Sequence, residues 1–428
     1  MEQADSSTKS VWSWAMYDWA NSAFATVVLA GFFPLFFKQY WSGGMPSGES
    51  TFMLGAANSV ASMIVALMAP VLGAIADQGS HRRRFLMFFA VLGMVMTGGL
   101  YFVAEGNWAM AVCLYVLAIL GFSGGNVFYD ALLPFVAKER KLDIVSALGF
   151  GLGYLGGGLL FALNVSMTLW PESFGLADST EAVRISFVMV AVWWAVFSVP
   201  VFLFVKEPDG SEARGRSIRA GLNQLCATFH EVRKLKVVWL FLLAYWLYID
   251  GVDTVIRMAM DFGLSLGFKA DALIVALLIT QFVGFPAAIA FGKLGEKMGP
   301  KTGIYIAICV YIVVIVWASF IEAEAEFYGL AIAIGLVQGG IQSLSRSMYA
   351  RLIPKGQSAE FFGFYNMLGK FAAVIGPLMM GYVGLLTGSP RLSILSVLIL
   401  FIAGLIVLRF VDENEGRLAA ETGPPTSS

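Results

Sequence analysis

The chain has 428 residues, 58% of them hydrophobic and 13% charged, with a formal net charge of −1 and a mean hydropathy of +0.76. Soluble globular domains carry about 25% charged residues, so the composition excludes an ordinary soluble domain and points to an integral membrane protein. The balanced charge excludes a broad electrostatic footprint for nucleic acid.

A polar start, MEQADSSTKS, leads into an apolar run rich in Trp and Tyr, which reads as a first span and not a cleaved signal peptide. About 20 apolar residues cross a bilayer as a helix. Twelve such runs follow in order: 14–37, 51–76, 84–104, 108–137, 144–169, 183–205, 237–263, 270–295, 301–321, 326–353, 358–386 and 391–411. They are called spans 1 to 12. None shows the ten-residue alternation of a β-barrel strand, so the expected fold is all-α, with backbone hydrogen bonds closed inside each span.

Lysine and arginine orient the spans. One set of connections holds Arg82, Arg83 and Arg84, then Lys138, Arg140 and Lys141, then seven basic residues from Lys206 to Lys236, then Lys293, Lys297 and Lys301, and finally Arg351 and Lys355. The opposite set holds only Lys38, Arg184, Lys269 and Arg391. Both termini are therefore expected in the cytoplasm. The long connection 206–236 divides the chain into residues 1–205 and 237–428, six spans each. Its Ile218, Leu222, Leu225, Phe229 and Val232 step by four and three, as on an amphipathic interfacial helix.

The halves repeat. After span 2 the chain reads Gly73-Ala-Ile-Ala-Asp77 and then Arg82, Arg83, Arg84; after span 8 it reads Gly292-Lys-Leu-Gly295-Glu296 and then Lys301. In span 5, Gly149, Gly153 and Gly156 match the Gly363-to-Gly369 stretch of span 11. Glycine lets helices approach closely, and an acid beside a basic cluster at a helix end suits a gate whose pairs hold one state and break in another. Asp77, Arg82 and Glu296 are gating candidates.

Twelve spans in two repeats with this loop resemble the major facilitator superfamily, whose loop pattern is Gly-x-Leu-Ala-Asp-Arg-x-Gly-Arg-Arg. The chain keeps Gly73, Ile75 in place of Leu, Ala76, Asp77 and Arg82, and departs at Gln78, Ser80 and His81. The superfamily's Gly-Pro antiporter signature is incomplete, because Tyr154 follows Gly153. A narrower resemblance, to the vacuole effluxer family, rests on YDWANSAF (17–24), FYDALLP (128–134), GYLGGG (153–158), DGVDT (250–254) and FFGFYNMLGK (361–370). It implies a transporter, with amino-acid efflux the activity associated with the family's eukaryotic members.

Ionisable residues inside a span cost about 2.5–3.5 kcal/mol at its centre on insertion scales, so they are expected to face a cavity or a partner. Asp250, Asp253, Arg257 and Asp261 lie at offsets 0, 3, 7 and 11 and form one stripe on span 7. Asp253 and Arg257 are an i,i+4 pair, and Gly251 could loosen the helix beside Asp250. Asp18, Asn21 and Ser22 share a face of span 1; Asn126, Tyr129 and Asp130 do so on span 4; Gln338, Gln342, Ser345 and Arg346 on span 10; Asn366 and Lys370 on span 11. Spans 1, 4, 7 and 10 line the cavity in the superfamily the chain resembles.

Asp18, Asn21, Asp250, Asp253, Arg257, Gln338, Gln342, Asn366 and Lys370 are thus the candidates for substrate binding or ion coupling, with Asp250–Lys370 a mid-bilayer pair. Asp130 and Arg346 join the gating set, and with Asp18 could form an inner network. Trp12, Trp14, Trp19 and Trp41 are expected as interface anchors. Only His81 and His230 exist, and Cys113, Cys226 and Cys309 are scattered, so neither a metal site nor a disulfide framework is expected. No HExxH, GxSxG or Walker A motif occurs.

The expectation is a cofactor-free secondary transporter, not an enzyme. It would be a monomer in a bacterial inner membrane, surrounded by lipid and moving a small polar solute by alternating access. Amino acids lead as substrate, with efflux and proton coupling through Asp250 or Asp18. Two alternatives stand beside it: a lipid or lysophospholipid transporter of the same fold, which needs an apolar lateral opening, and a non-transporting receptor or scaffold.

Overall fold

The computed structural model describes residues 7–42, 60–68, 81–207, 235–354 and 358–422, with single positions 53, 57 and 72. Most of span 2, with Asp77, and the amphipathic segment of the 206–236 connection lie outside the described residues.

Span 1 begins at Thr8, earlier than its apolar run, because Ser7 caps it by accepting the Ser10 N–H at 3.2 Å. It passes from α-helix (Thr8–Ala23) into wide π-helical turns at Phe24–Phe32 and Phe37–Trp41, around Pro34, which has no N–H to donate. Then come span 3 (Arg82–Gly99), span 4 (Trp108–Val136), span 5 (Leu142–Leu169) and span 6 (Ser179–Phe204). The second half holds span 7 (Lys236–Ser265), span 8 (Ala270–Met298), span 9 (Pro300–Ala318), span 10 (Glu324–Leu352) and span 11 (Ser358–Thr387). Span 12 (Pro390–Arg409) and a short terminal helix (Glu413–Thr422) complete it. Among the described residues, ten helices are long and apolar enough to cross a membrane. At 1.5 Å per residue the 29 residues of span 4 extend about 44 Å, enough to cross a hydrocarbon core of roughly 30 Å.

Span 1 packs on spans 5 and 6, and span 3 on spans 4 and 6. In the second half span 10 packs on spans 8 and 9, and span 7 on spans 11 and 12. The halves join where span 5 lies along spans 8 and 10 and span 4 along span 11.

Glycine makes these approaches possible. A Cβ at Gly156 would meet Trp19, and one at Gly153 would sit 2.5 Å from Ser22 Oγ. On the other face of span 5, Gly151 looks onto the Phe285 carbonyl of span 8 at 3.3 Å. Span 5 therefore presents glycine both to span 1 and to the opposite half. Gly251, expected to loosen span 7, instead makes room for the Phe401 ring of span 12, and span 7 runs unbroken.

The tryptophans correct a sequence expectation. Trp12 is exposed, but Trp14 and Trp41 are fully buried. Trp14 stacks on Tyr129 at 4.4 Å, and Trp41 packs against Phe33, Phe36 and Phe187. They are core residues and not interface anchors, because neighbouring aromatics remove them from the surface where an anchor must lie.

Candidate functional site: a charged joint between the halves

The polar faces of spans 1 and 4 meet those of spans 10 and 11 at the end of the bundle where the chain begins. Arg346, on span 10, is buried and reaches into the first half. Its Nε donates to Ser146 Oγ at 2.9 Å. Nη1 donates to Asp18 Oδ2 at 3.3 Å and Asp130 Oδ1 at 3.1 Å, and Nη2 to Asp18 Oδ2 at 3.4 Å and the Ser146 carbonyl at 2.8 Å. These bonds use every N–H of a planar guanidinium, a demand lysine could not meet. The rings of Phe150, Trp14 and Tyr129 surround it, 4.2, 4.9 and 5.5 Å from the guanidinium carbon, a cation–π arrangement.

The acids are held in turn. Tyr129 donates to Asp18 Oδ2 at 2.8 Å, and Asn366 of span 11 donates to Asp130 Oδ2 at 3.3 Å. A Cβ on Gly149 would lie 2.5 Å from Asp18 Oδ2 and 3.1 Å from Arg346 Nη2. The first glycine of the span 5 series thus clears the space for this ion pair.

One turn nearer the bundle end lies a second joint. Arg351 Nη2 meets Asp143 Oδ2 at 2.6 Å and donates to the Glu139 carbonyl at 3.3 Å. Ser347 donates to Asp143 Oδ1 at 2.5 Å, and Ser146 to the Ser343 carbonyl at 2.8 Å. Asp143 is fully buried and touches the edge of Gly295. Toward mid-bundle, Tyr154 donates to Gln342 Oε1 at 3.1 Å and packs against Gly284 and Gly339. Tyr154 occupies the position after Gly153 where the superfamily signature has proline, and it uses that position to cross to the other half.

The remaining candidates lie apart from Arg346. Asn21 donates to Asn126 Oδ1 at 2.7 Å within the first half. Asp250 is buried; its Oδ1 accepts the Gly376 N–H at 3.0 Å and the Thr254 hydroxyl at 3.4 Å. Asp253 is half-buried, Arg257 is exposed, and Gln338 is buried. The side chains of Lys370 and Asp261 lie outside the described residues, so the Asp250–Lys370 pair does too. Of the loop residues, Arg82 is buried against Phe135, 4.8 Å from the ring, and Glu296 is exposed. Asp18, Asp130, Arg346 and Asn366 are therefore brought together, while Asn21, Asp250, Asp253, Arg257, Gln338, Arg82 and Glu296 are not part of that cluster.

Sequence reasoning missed Asp143, Ser146, Tyr154 and the pairing of Arg351. Asp143 stands at the entrance of span 5, where an acid reads as a helix-start residue. Arg351 counts among the orienting charges. Among the described residues no group of acids, histidines and cysteines could hold a metal.

The pattern of the family described as "Vacuole effluxer Atg22 like" matches residues 40–421. The chain belongs to this vacuole effluxer family. Among its relatives, an uncharacterized MFS-type transporter, YxiO of Bacillus subtilis, is 39% identical over 95% of this chain and 96% of its own. Autophagy-related protein 22 of Gibberella zeae is 24% identical over 88% of this chain and 70% of its own. The fold matches the human organic anion transporter MFSD10 with TM-score 0.71 at 17% identity, over 94% of this chain and 99% of that one. It matches the proton:xylose symporter XylE with TM-score 0.70 at 13% identity, over 96% of each. This effluxer-family member is thus a multi-pass membrane transporter with the major facilitator fold.

Proposed function

We propose that the chain is a secondary active transporter that exports a small polar solute, amino acids first among them, by rocking residues 1–205 against 237–428. The observation that carries this reading is Arg346 crossing between the halves into Asp18 and Asp130. A buried pair of this kind is expensive to leave half-made, so it suits a joint with two discrete arrangements, made or fully separated. Lysine and arginine counts assign this end to the cytoplasm, which makes the conformation described here closed on that side. In this reading the solute site lies beyond the joint, among Asn21, Gln338, Gln342, Asp253, Arg257 and Asn366, and the sequence adds Lys370 of span 11 as a candidate. Asp250 or Asp18, each a carboxylate inside a span, couples transport to protons in the same reading.

The test is uptake of labelled amino acids into proteoliposomes of stated internal and external pH. The parent is expected to concentrate at least one amino acid under an imposed pH gradient, and Asp250→Asn and Arg346→Ala to lose gradient-driven uptake while remaining folded. Undiminished uptake by both variants would sink the assignment.

A second reading, lipid or lysophospholipid transport, has one observation in its favour. Val275, Leu278, Ile279, Phe282, Pro286 and Leu336 help line a wholly apolar groove along span 8. Transfer of a fluorescent lysophospholipid by the same proteoliposomes, without amino-acid uptake, would select it.

A further inference from the structure

The terminal helix Glu413–Thr422 follows span 12. Asp412 starts it by accepting the N–H groups of Asn414 at 2.9 Å and Glu415 at 3.2 Å. The preceding turn is pinned by Lys301, which donates to the Val411 carbonyl at 2.6 Å. The helix packs on spans 7 and 10, and Gly416 sits directly against Leu352 and Val237. It is therefore a fixed part of the second half. From there Arg417 Nε reaches Glu139 Oε1 of the first half at 2.8 Å. One turn back on the same helix, Glu413 Oε1 meets Arg351 Nη1 at 3.4 Å, and Arg351 is the residue that grips Asp143.

We infer that this terminal helix is a clasp across the two halves, which holds their charged end shut and sets how readily it opens. It rests on the alternating-access reading above and adds a regulatory element to it. Two features separate the clasp from the joint it covers. First, Arg417 and Glu139 are 45% and 33% exposed, so they can part and re-form without burying a lone charge. Second, the clasp lies outside the spans, where solvent, salt or a bound protein can reach it. Glu413 and Arg351 both belong to the second half, so the helix's own grip on the first half rests on Arg417.

The experiment uses the full chain with Cys113, Cys226 and Cys309 replaced by serine and a reporter, Ser343→Cys, in the inter-half contact. The reading is the rate at which a water-soluble maleimide labels the reporter. Arg417→Glu and Glu139→Arg are each expected to raise that rate by roughly two- to fivefold, the size of an exposed ion pair. The exchange Glu139→Arg with Arg417→Glu is expected to restore the parent rate. Added salt is expected to accelerate labelling of the parent and not of the single variants.

Arg346→Ala is the reference for an opened joint. If it accelerates labelling and the clasp variants do not, or if the exchange fails to restore the rate, the clasp is overturned and the transport reading stands. If Arg346→Ala also leaves the reporter unlabelled, the two-state reading falls and the clasp falls with it.

Discussion

Asp250 illustrates how one residue's role depends on a neighbour far along the chain. Its carboxylate receives a backbone N–H from Gly376, immediately before Pro377 inside span 11. Proline removes the helical hydrogen bond that its own position would make, and the carboxylate of span 7 supplies polar company at that irregularity. Only glycine fits at 376, since a Cβ there would collide with Thr254 Oγ1 and lie 2.8 Å from Asp250 Oδ1. Gly376→Ala should cost about 1–3 kcal/mol by overpacking, read as an earlier thermal unfolding in detergent, and Thr254→Ala should return part of the loss. A Gly376→Ala protein as stable as the parent would refute this contact. The sequence marks Asp250 as an expensive mid-span acid, but nothing local to it points to residue 376.

At the level of helices, side-chain removal is what brings elements together. A Cβ on Gly121 of span 4 would run into the backbone N and Cα of Gly93 and, at 2.7 Å, the Phe89 carbonyl of span 3. Backbone cannot step aside as a side chain can, so the two helices would have to separate. Gly121→Val should lower the yield of folded protein sharply. Gly381→Ala, at a helical site with nothing within 4 Å, should be neutral or stabilise by up to about 1 kcal/mol through helix propensity. Equal effects of the two substitutions on thermal unfolding would contradict the packing argument. The glycine periodicity of span 5 is legible in the sequence as a close-approach surface. Its partners are not, because one helix face can receive span 1 or the opposite half, and span 5 does both with different glycines.

For the whole molecule, the decisive balance is between two acids and one arginine shared by the halves. Arg346→Met leaves Asp18 and Asp130 buried without their cation and should cost about 3–5 kcal/mol. Neutralising all three, as Arg346→Met with Asp18→Asn and Asp130→Asn, should recover much of that loss, because no lone charge remains. Thermal unfolding of the two proteins side by side checks it; a triple variant no more stable than the single one would show that the joint is not held by charge.

Hydropathy alone determined that the chain spans a membrane with helices, and where they begin and end to within a few residues for most of the described spans. Those properties follow from a bilayer that every segment meets separately, so each segment carries its own signal. Helical periodicity also put Asp18, Asp130 and Arg346 on polar faces, and their positions along the spans put all three toward the same end. The tertiary structure decided the rest: that Arg346 lies between those acids, that Asp143 binds Arg351, that Tyr154 crosses to Gln342, and that the terminal helix reaches Glu139. Each of these joins residues more than a hundred positions apart. The register between packed helices, which creates such contacts, is set by which glycine faces which side chain, and no single span encodes both sides of that fit.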